Sequence, residues 1–260
     1  MSDVLALKGS FRAIVALYVV AMLLSLFLAW PPPSEIPQEG KNPETAGTFL
    51  IYVLIATAFF LLIIKIWPWI LRYIINALEI LFLLGTTALV AESYGLPMTI
   101  PFLAVLARII WWNSTIAQNV STIIIISVST AVVGISLAPT VAAILITLFA
   151  IYDYVSVFIT KHMVTLAKAL GAKADREGKV EGEAKIHMLG AGDIAIPGIF
   201  AVSLLRVGIV PAVLAAAGAT LGLVCTMRLA KRWRRVLPAL PSITLPELLF
   251  AAIGLLLSFL

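Results

Sequence analysis

Hydrophobic residues along this chain fall in long unbroken runs, not in the two-residue alternation of a half-buried strand or the one-sided stripe of a soluble helix. A bilayer core of roughly 30 Å is crossed by about 20 apolar residues of helix. Runs of that kind predict nine transmembrane helices, at about 10–30, 48–70, 73–93, 98–112, 119–137, 139–160, 187–206, 208–227 and 244–260. The fourth is short and carries Arg108. The fifth and sixth are separated only by Ala138-Pro139, where the proline marks the break. The first run is long, lacks a small-x-small cleavage site and ends in Trp30-Pro31-Pro32-Pro33, so it does not read as a signal peptide. The chain thus divides into six helices over 1–160, a charged loop over 161–186 and three helices over 187–260, forming one functional domain.

Composition narrows the class. Apolar residues make up 62% of the 260 and charged residues 12%, and mean hydropathy is +1.10. A soluble domain is about one-quarter charged, so these values leave an all-α polytopic membrane protein. The single cysteine, Cys225, cannot pair within the chain, and two histidines, His162 and His187, are too few for a His-rich metal centre. The net charge of +5 does not point to nucleic acid; its meaning lies in which side of the membrane holds the basic residues.

With nine crossings and a cytoplasmic N-terminus, all but two of the 18 basic residues, Lys41 and Arg206, fall on the inner side. That bias is what the positive-inside rule requires. The expected arrangement is a multi-pass protein of the cell membrane, with the N-terminus and the 161–186 loop cytoplasmic and the C-terminus outside. The loop reads as a solvated connector. Lys65 and Arg108 are expected to snorkel. Trp67, Trp69, Trp111 and Trp112 read as an inner aromatic belt.

Ionisable residues within membrane runs are functional-site candidates. Here they are Glu79, Asp153, Asp193 and Glu247. Asp153 lies roughly 10 Å from the inner end of the sixth span and Asp193 roughly 9 Å from that of the seventh. Two aspartates at matched depth on antiparallel helices can share one proton, because like charges a few ångströms apart resist joint ionisation. Depth alone is split evenly between a hydrolytic pair, in which one carboxylate activates water and the other donates a proton, and a proton or cation pathway or a buried hydrogen-bonded pair. Glu79 is expected to hydrogen-bond within the bundle, and Glu247 to cap the start of the last span.

The flanking residues separate these alternatives. Gly190 and Gly192 in Gly190-Ala191-Gly192-Asp193 allow close backbone approach. Such a Gly-x-Gly-Asp run is expected by chance about 0.015 times in a chain of this composition. Tyr152 precedes Asp153, and Pro238-Ala239-Leu240 precedes the last span. Pro238, Pro241 and Pro246 resist regular helix, so residues 238–243 are expected to dip into the membrane as extended chain, which can hold an unwound substrate by strand pairing.

Taken together, Tyr152-Asp153, Gly190-Ala191-Gly192-Asp193 and Pro238-Ala239-Leu240 resemble the signature of the presenilin and signal peptide peptidase family of intramembrane aspartyl proteases. The compact length and the run from Tyr152 to Val157, followed by Thr160-Lys161-His162-Met163, resemble its archaeal members. Asp193-Ile194-Ala195-Ile196-Pro197-Gly198 is closer to the signal peptide peptidase branch, whereas the cytoplasmic catalytic loop is that of presenilin, so no branch is assigned. The resemblance implies a presenilin-like fold, Asp153 and Asp193 as catalytic residues, Tyr152, Gly190 and Gly192 as supports of the site, and Pro238, Ala239 and Leu240 as the segment that positions substrate. It implies an endopeptidase acting on transmembrane helices of other proteins, with no metal and no organic cofactor. The alternatives are a proton- or cation-coupled transporter or channel using the same aspartates, and a prepilin-type Gly-x-Gly-Asp peptidase. Against the first stands the lack of repeated halves, and against the second the nine-span count and the Tyr152-Asp153 pair.

Overall fold

Caps and prolines set where the apolar runs become helices. The computed structural model of the chain describes residues 6–66, 68–158, 187–233 and 238–258. A short strand, β1 (Ala6–Gly9), leads into α1 (Phe11–Leu28), whose N-cap Ser10 accepts from the Ala13 N–H at 3.3 Å. A single turn, α2 (Gln38–Lys41), precedes α3 (Glu44–Ile66) and α4 (Pro68–Ser93). Residues 71–72, where the apolar pattern implied a break, lie inside α4, which begins at Pro68. Proline has no N–H to give a preceding turn but suits the first position of a new helix. Then follow α5 (Thr99–Ile110), α6 (Thr115–Ser136, capped by Ser114) and α7 (Pro139–Phe158), again opened by proline.

Beyond 159–186, which lies outside the described residues along with the charged loop and His162, the chain resumes in a strand, β2 (His187–Gly190). This corrects the expectation of helix from residue 187. The strand pairs antiparallel with β1, Ala6 opposite Gly190 and Gly9 opposite His187, and helix starts only at Gly192, because glycine weakens helix and the β1 partner satisfies the extended backbone. The remaining helices are α8 (Gly192–Ser203), closed by a tight turn at Leu204–Arg206, then α9 (Ile209–Trp233) and α10 (Ala239–Ser258).

Six helices among the described residues are long and apolar enough to cross a membrane: those containing 11–28, 73–93, 115–136, 139–156, 209–230 and 239–258. Helices α5 and α8 have 12 residues each, roughly 18 Å of helix. Large apolar side chains point outward, with Phe27 67% and Leu245 73% exposed. A surface of that kind is compatible with lipid and not with water.

At the centre stands α8, buried along almost all of its length from Ile194 to Ser203, as expected of a helix that is apolar all round. It packs against α1, α6, α7, α9 and α10. Small residues make this possible: a Cβ on Gly198 would sit 2.6 Å from Thr130 of α6 and 3.4 Å from Met22 of α1. The last two helices pack tightly for the same reason. A Cβ on Gly222 would lie 2.6 Å from the Ser242 carbonyl, and one on Gly218 2.5 Å from the Pro246 carbonyl. Pro246 lacks the N–H that would bond Ser242 four residues earlier, so the close glycine strip meets backbone that the proline has already altered.

One buried charge behaves differently from expectation. Arg108 does not snorkel: it is 3% exposed and donates to Glu79 from two of its three guanidinium nitrogens, Nε to Oε1 at 2.7 Å and Nη2 to Oε2 at 3.2 Å. The Ser121 hydroxyl donates to the same carboxylate at 2.8 Å, and the guanidinium lies 4.9 Å over the Trp112 ring. The forked pairing geometry holds α4, α5 and α6 together, in place of a route to the surface. At the other end of the bundle, Arg206 donates to the carbonyls of Pro33, Glu35 and Ile135. It ties the loop after α1 to the end of α6 and to the turn after α8.

Candidate active site

Asp153 sits in the last part of α7 and Asp193 in the first turn of α8. Each is partly buried, their helices pack against each other, and Asp193 lies within electrostatic reach of Asp153. The two acids that the sequence placed at matched depth are therefore brought together. Asp193 is not six residues inside a helix. It stands at a helix N-terminus, where free N–H groups and the helix dipole favour a carboxylate.

The glycines of this run act in distinct ways. The Asp193 carboxylate turns back onto Gly190, whose backbone N–H bonds it. A Cβ at Gly190 would meet Asp193 Oδ2 at 3.3 Å, so a side chain there would crowd the acid. Gly192 is exposed and open space surrounds its missing Cβ; its part is to begin the helix. Pro197, four residues after Asp193, has no N–H for the Asp193 carbonyl, which loosens the backbone on which the acid is mounted. Tyr152 is half-buried against the hydrophobic core beside Asp153.

The contact that sequence reasoning missed comes from α10. The backbone N–H of Leu240 donates to Asp153 Oδ2 at 3.1 Å, and the Ala239 N–H lies near the same carboxylate. These are orphan donors of a helix start. Residues 239–243 are helical, a correction to the extended segment expected there. Prolines at the start of a helix cost little, since N–H groups in the first turn have no intrahelical acceptor. Pro238 and Leu240 are buried and Ala239 is half-buried. The signal for this contact was legible: proline before a small and then an apolar residue marks a helix start. Its target across the bundle was not.

Glu247 does not cap a helix. It lies in the third turn of α10, fully buried, because helix begins at Ala239 rather than Thr244. His187 contributes backbone to β2.

The arrangement places two acids from adjacent helices together, one held by a neighbouring helix start, with backbone strand pairing immediately before the second. Such a site can share a proton, activate water and protonate a leaving amide. Among solved structures the chain is similar to a presenilin family intramembrane aspartate protease determined in the P2 space group, at 22% identity and a TM-score of 0.69, covering 94% of this chain and 96% of that one. A C222 form of a presenilin family protease matches at 19% identity and a TM-score of 0.66, covering 95% and 97%. These likenesses establish the fold. No curated protein matches. The family model described as signal-peptide peptidase, presenilin aspartyl protease matches residues 15–173, more than half of the chain and including Asp153. With that match and a shared fold, the chain belongs to the signal peptide peptidase and presenilin family of aspartyl proteases, intramembrane-cleaving endopeptidases.

Proposed function

We propose that the protein hydrolyses peptide bonds inside transmembrane helices of other membrane proteins, with Asp153 and Asp193 as the catalytic pair. The observation that carries this is that α7 and α8, which bear the two carboxylates, pack together with Asp193 in electrostatic reach of Asp153, and that Asp153 is held by the first turn of α10. One carboxylate takes a proton from water as its oxygen attacks the scissile carbonyl. The other gives its proton to the amide nitrogen as the C–N bond breaks. The pair shares its proton, so the roles belong to the pair rather than to either residue. Neither metal nor organic cofactor is needed for these steps.

A transmembrane substrate hides its carbonyls in its own helix hydrogen bonds, so it unwinds locally before attack. Pro238, Ala239 and Leu240 position it: they border Asp153 and their first-turn backbone sets where that carboxylate stands. Tyr152, Gly190 and Gly192 support the pair.

Nine crossings complete the reading, with the N-terminus and the 161–186 loop cytoplasmic and the C-terminus outside. The distribution of basic residues supports it. So does the pairing of β1 with β2, since it joins the segments that lead into α1 and α8. The test is incubation of purified protein with a model transmembrane peptide, with products identified by mass spectrometry. Discrete internal cleavage that requires both aspartates is the expected result; an intact peptide with well-folded protein, across several peptides, overturns the reading.

A further inference from the structure

Asp193 rides on a helix whose height the bilayer does not set. Helix α8 has 12 residues, roughly 18 Å, against a hydrocarbon core of roughly 30 Å. It is buried along almost all of its length, so no lipid-facing stripe matches it to the membrane. Its contacts with α1 and α6 are close, at Gly198 against Met22 and Thr130, but apolar contact is non-directional. A slip of one residue along α8 would move Asp193 by about 1.5 Å and turn it by about 100° around the axis. Either displacement would carry its carboxylate away from Asp153.

The two-stranded sheet supplies a reference of another kind. Strand β2 ends at Gly190, and Ala191 alone separates it from α8. Strand β1 ends at Gly9, and the N-cap Ser10 alone separates it from α1. The ladder sets Ala6 opposite Gly190 and Gly9 opposite His187. A ladder has a definite register, and slipping it by one residue turns every side chain to the other face. A two-stranded ribbon is marginal by itself, but β1 is anchored, since it also packs against α1 and α6. The start of α8 is thereby tied to two other helices by a segment from the far end of the chain. The tie reaches the acid: Gly190, the last paired residue, is the one whose Cβ would stand 3.3 Å from Asp193 Oδ2.

We infer that β1 is a positioning element of the active site: by fixing the register of β2, the N-terminal strand sets the height and rotation at which α8 presents Asp193 to Asp153. This rests on the reading of Asp153 and Asp193 as the hydrolytic pair. The strand acts through β2 and touches neither carboxylate chemistry nor substrate. It stays paired throughout the cycle.

The test compares the full-length protein with one lacking residues 2–9, which keeps the Ser10 cap, with folding followed by gel filtration in detergent. The deletion is expected to lower kcat for a model transmembrane peptide by about 10-fold or more, since an ångström of misplacement costs that much, with KM little changed. Wild-type kcat in the folded deletion overturns the inference, and so does a higher kcat, which would make β1 a plug. Amide hydrogen exchange without substrate gives a readout independent of cleavage. Loss of β1 is expected to speed exchange over residues 187–200 and to leave α6 and α7 as they were. Unchanged exchange there, or faster exchange in every helix, overturns the inference. Local loosening in a protein that cleaves nothing, with or without β1, leaves the strand as the anchor of α8 and removes the protease reading instead. A cross-strand lock decides the matter if the deletion does not fold. Lys8 stands opposite Met188, and directly opposed residues of an antiparallel pair are near enough for a disulfide. In a Cys225→Ser background, Lys8→Cys combined with Met188→Cys is expected to oxidise readily and to turn over peptide as fast oxidised as reduced. Failure to form the disulfide, or turnover lost on oxidation and regained on reduction, overturns the inference.

Discussion

Replacing either aspartate by its amide removes a charge and a proton without changing side-chain size. Asp153→Asn and Asp193→Asn are each expected to lower peptide turnover by at least about 100-fold, the scale of general acid–base contributions, while both proteins elute as wild type from gel filtration. Near-normal activity in either well-folded mutant would show that the pair does not do the chemistry. Gly190 gives a subtler case at the same scale. A Cβ there stands 3.3 Å from Asp193 Oδ2, tight enough that the carboxylate must shift. Gly190→Val is therefore expected to cut kcat well before it affects thermal stability in detergent, because the added bulk meets the acid rather than the core.

At the scale of elements, the first turn of α10 and the Glu79–Arg108 pair join helices distant in the chain. Leu240→Arg brings a charge into a buried position and Ala239→Trp adds bulk where α10 meets Asp153. Both are expected to reduce cleavage sharply while still inserting in the membrane. Wild-type turnover in both folded variants would reduce Pro238-Ala239-Leu240 to the start of a helix. The ion pair permits a different comparison. Glu79→Leu alone strands Arg108, which is 3% exposed, at an expected loss of about 3–5 kcal/mol. Glu79→Leu combined with Arg108→Met removes both charges and is expected to recover most of that stability, since a packed apolar pair often equals a buried ionic one. Thermal unfolding of the three proteins in one detergent checks the order; a double mutant less stable than the single would refute it.

Orientation belongs to the whole molecule. Cys225 is the only cysteine and is exposed, so Cys225→Ser gives a clean background for single labels. A cysteine replacing Glu35 is expected to react with an impermeant maleimide in intact cells, and one replacing Lys173 only after the membrane is opened. The reverse pattern would invert the topology and move the aspartate pair toward the outer face. Arg206 bears on the same question. Its bonds to Pro33, Glu35 and Ile135 tie one of the two basic residues predicted on the outer side to the loop after α1, whose carbonyls hold it.

The apolar runs, the break at Ala138-Pro139 and the acids within the runs were legible in the amino-acid order, because the cost of placing a side chain in lipid is paid residue by residue and needs no partner. The family signature was legible for a similar reason, since Tyr152-Asp153 and Gly190-Ala191-Gly192-Asp193 are local in the chain. Tertiary structure alone decided the partners. Arg108 finds Glu79 across 29 residues and Leu240 finds Asp153 across 87; hydrophobic periodicity carries no information about such pairings. It also decided where helix gives way to strand at residues 187–190, because β1 lies at the other end of the chain and supplies the hydrogen bonds. The helical first turn of α10 follows the same logic. Three prolines argue locally for extended chain, yet packing against the glycines of α9 and the acceptor on Asp153 reward a helix whose leading N–H groups already point at a carboxylate.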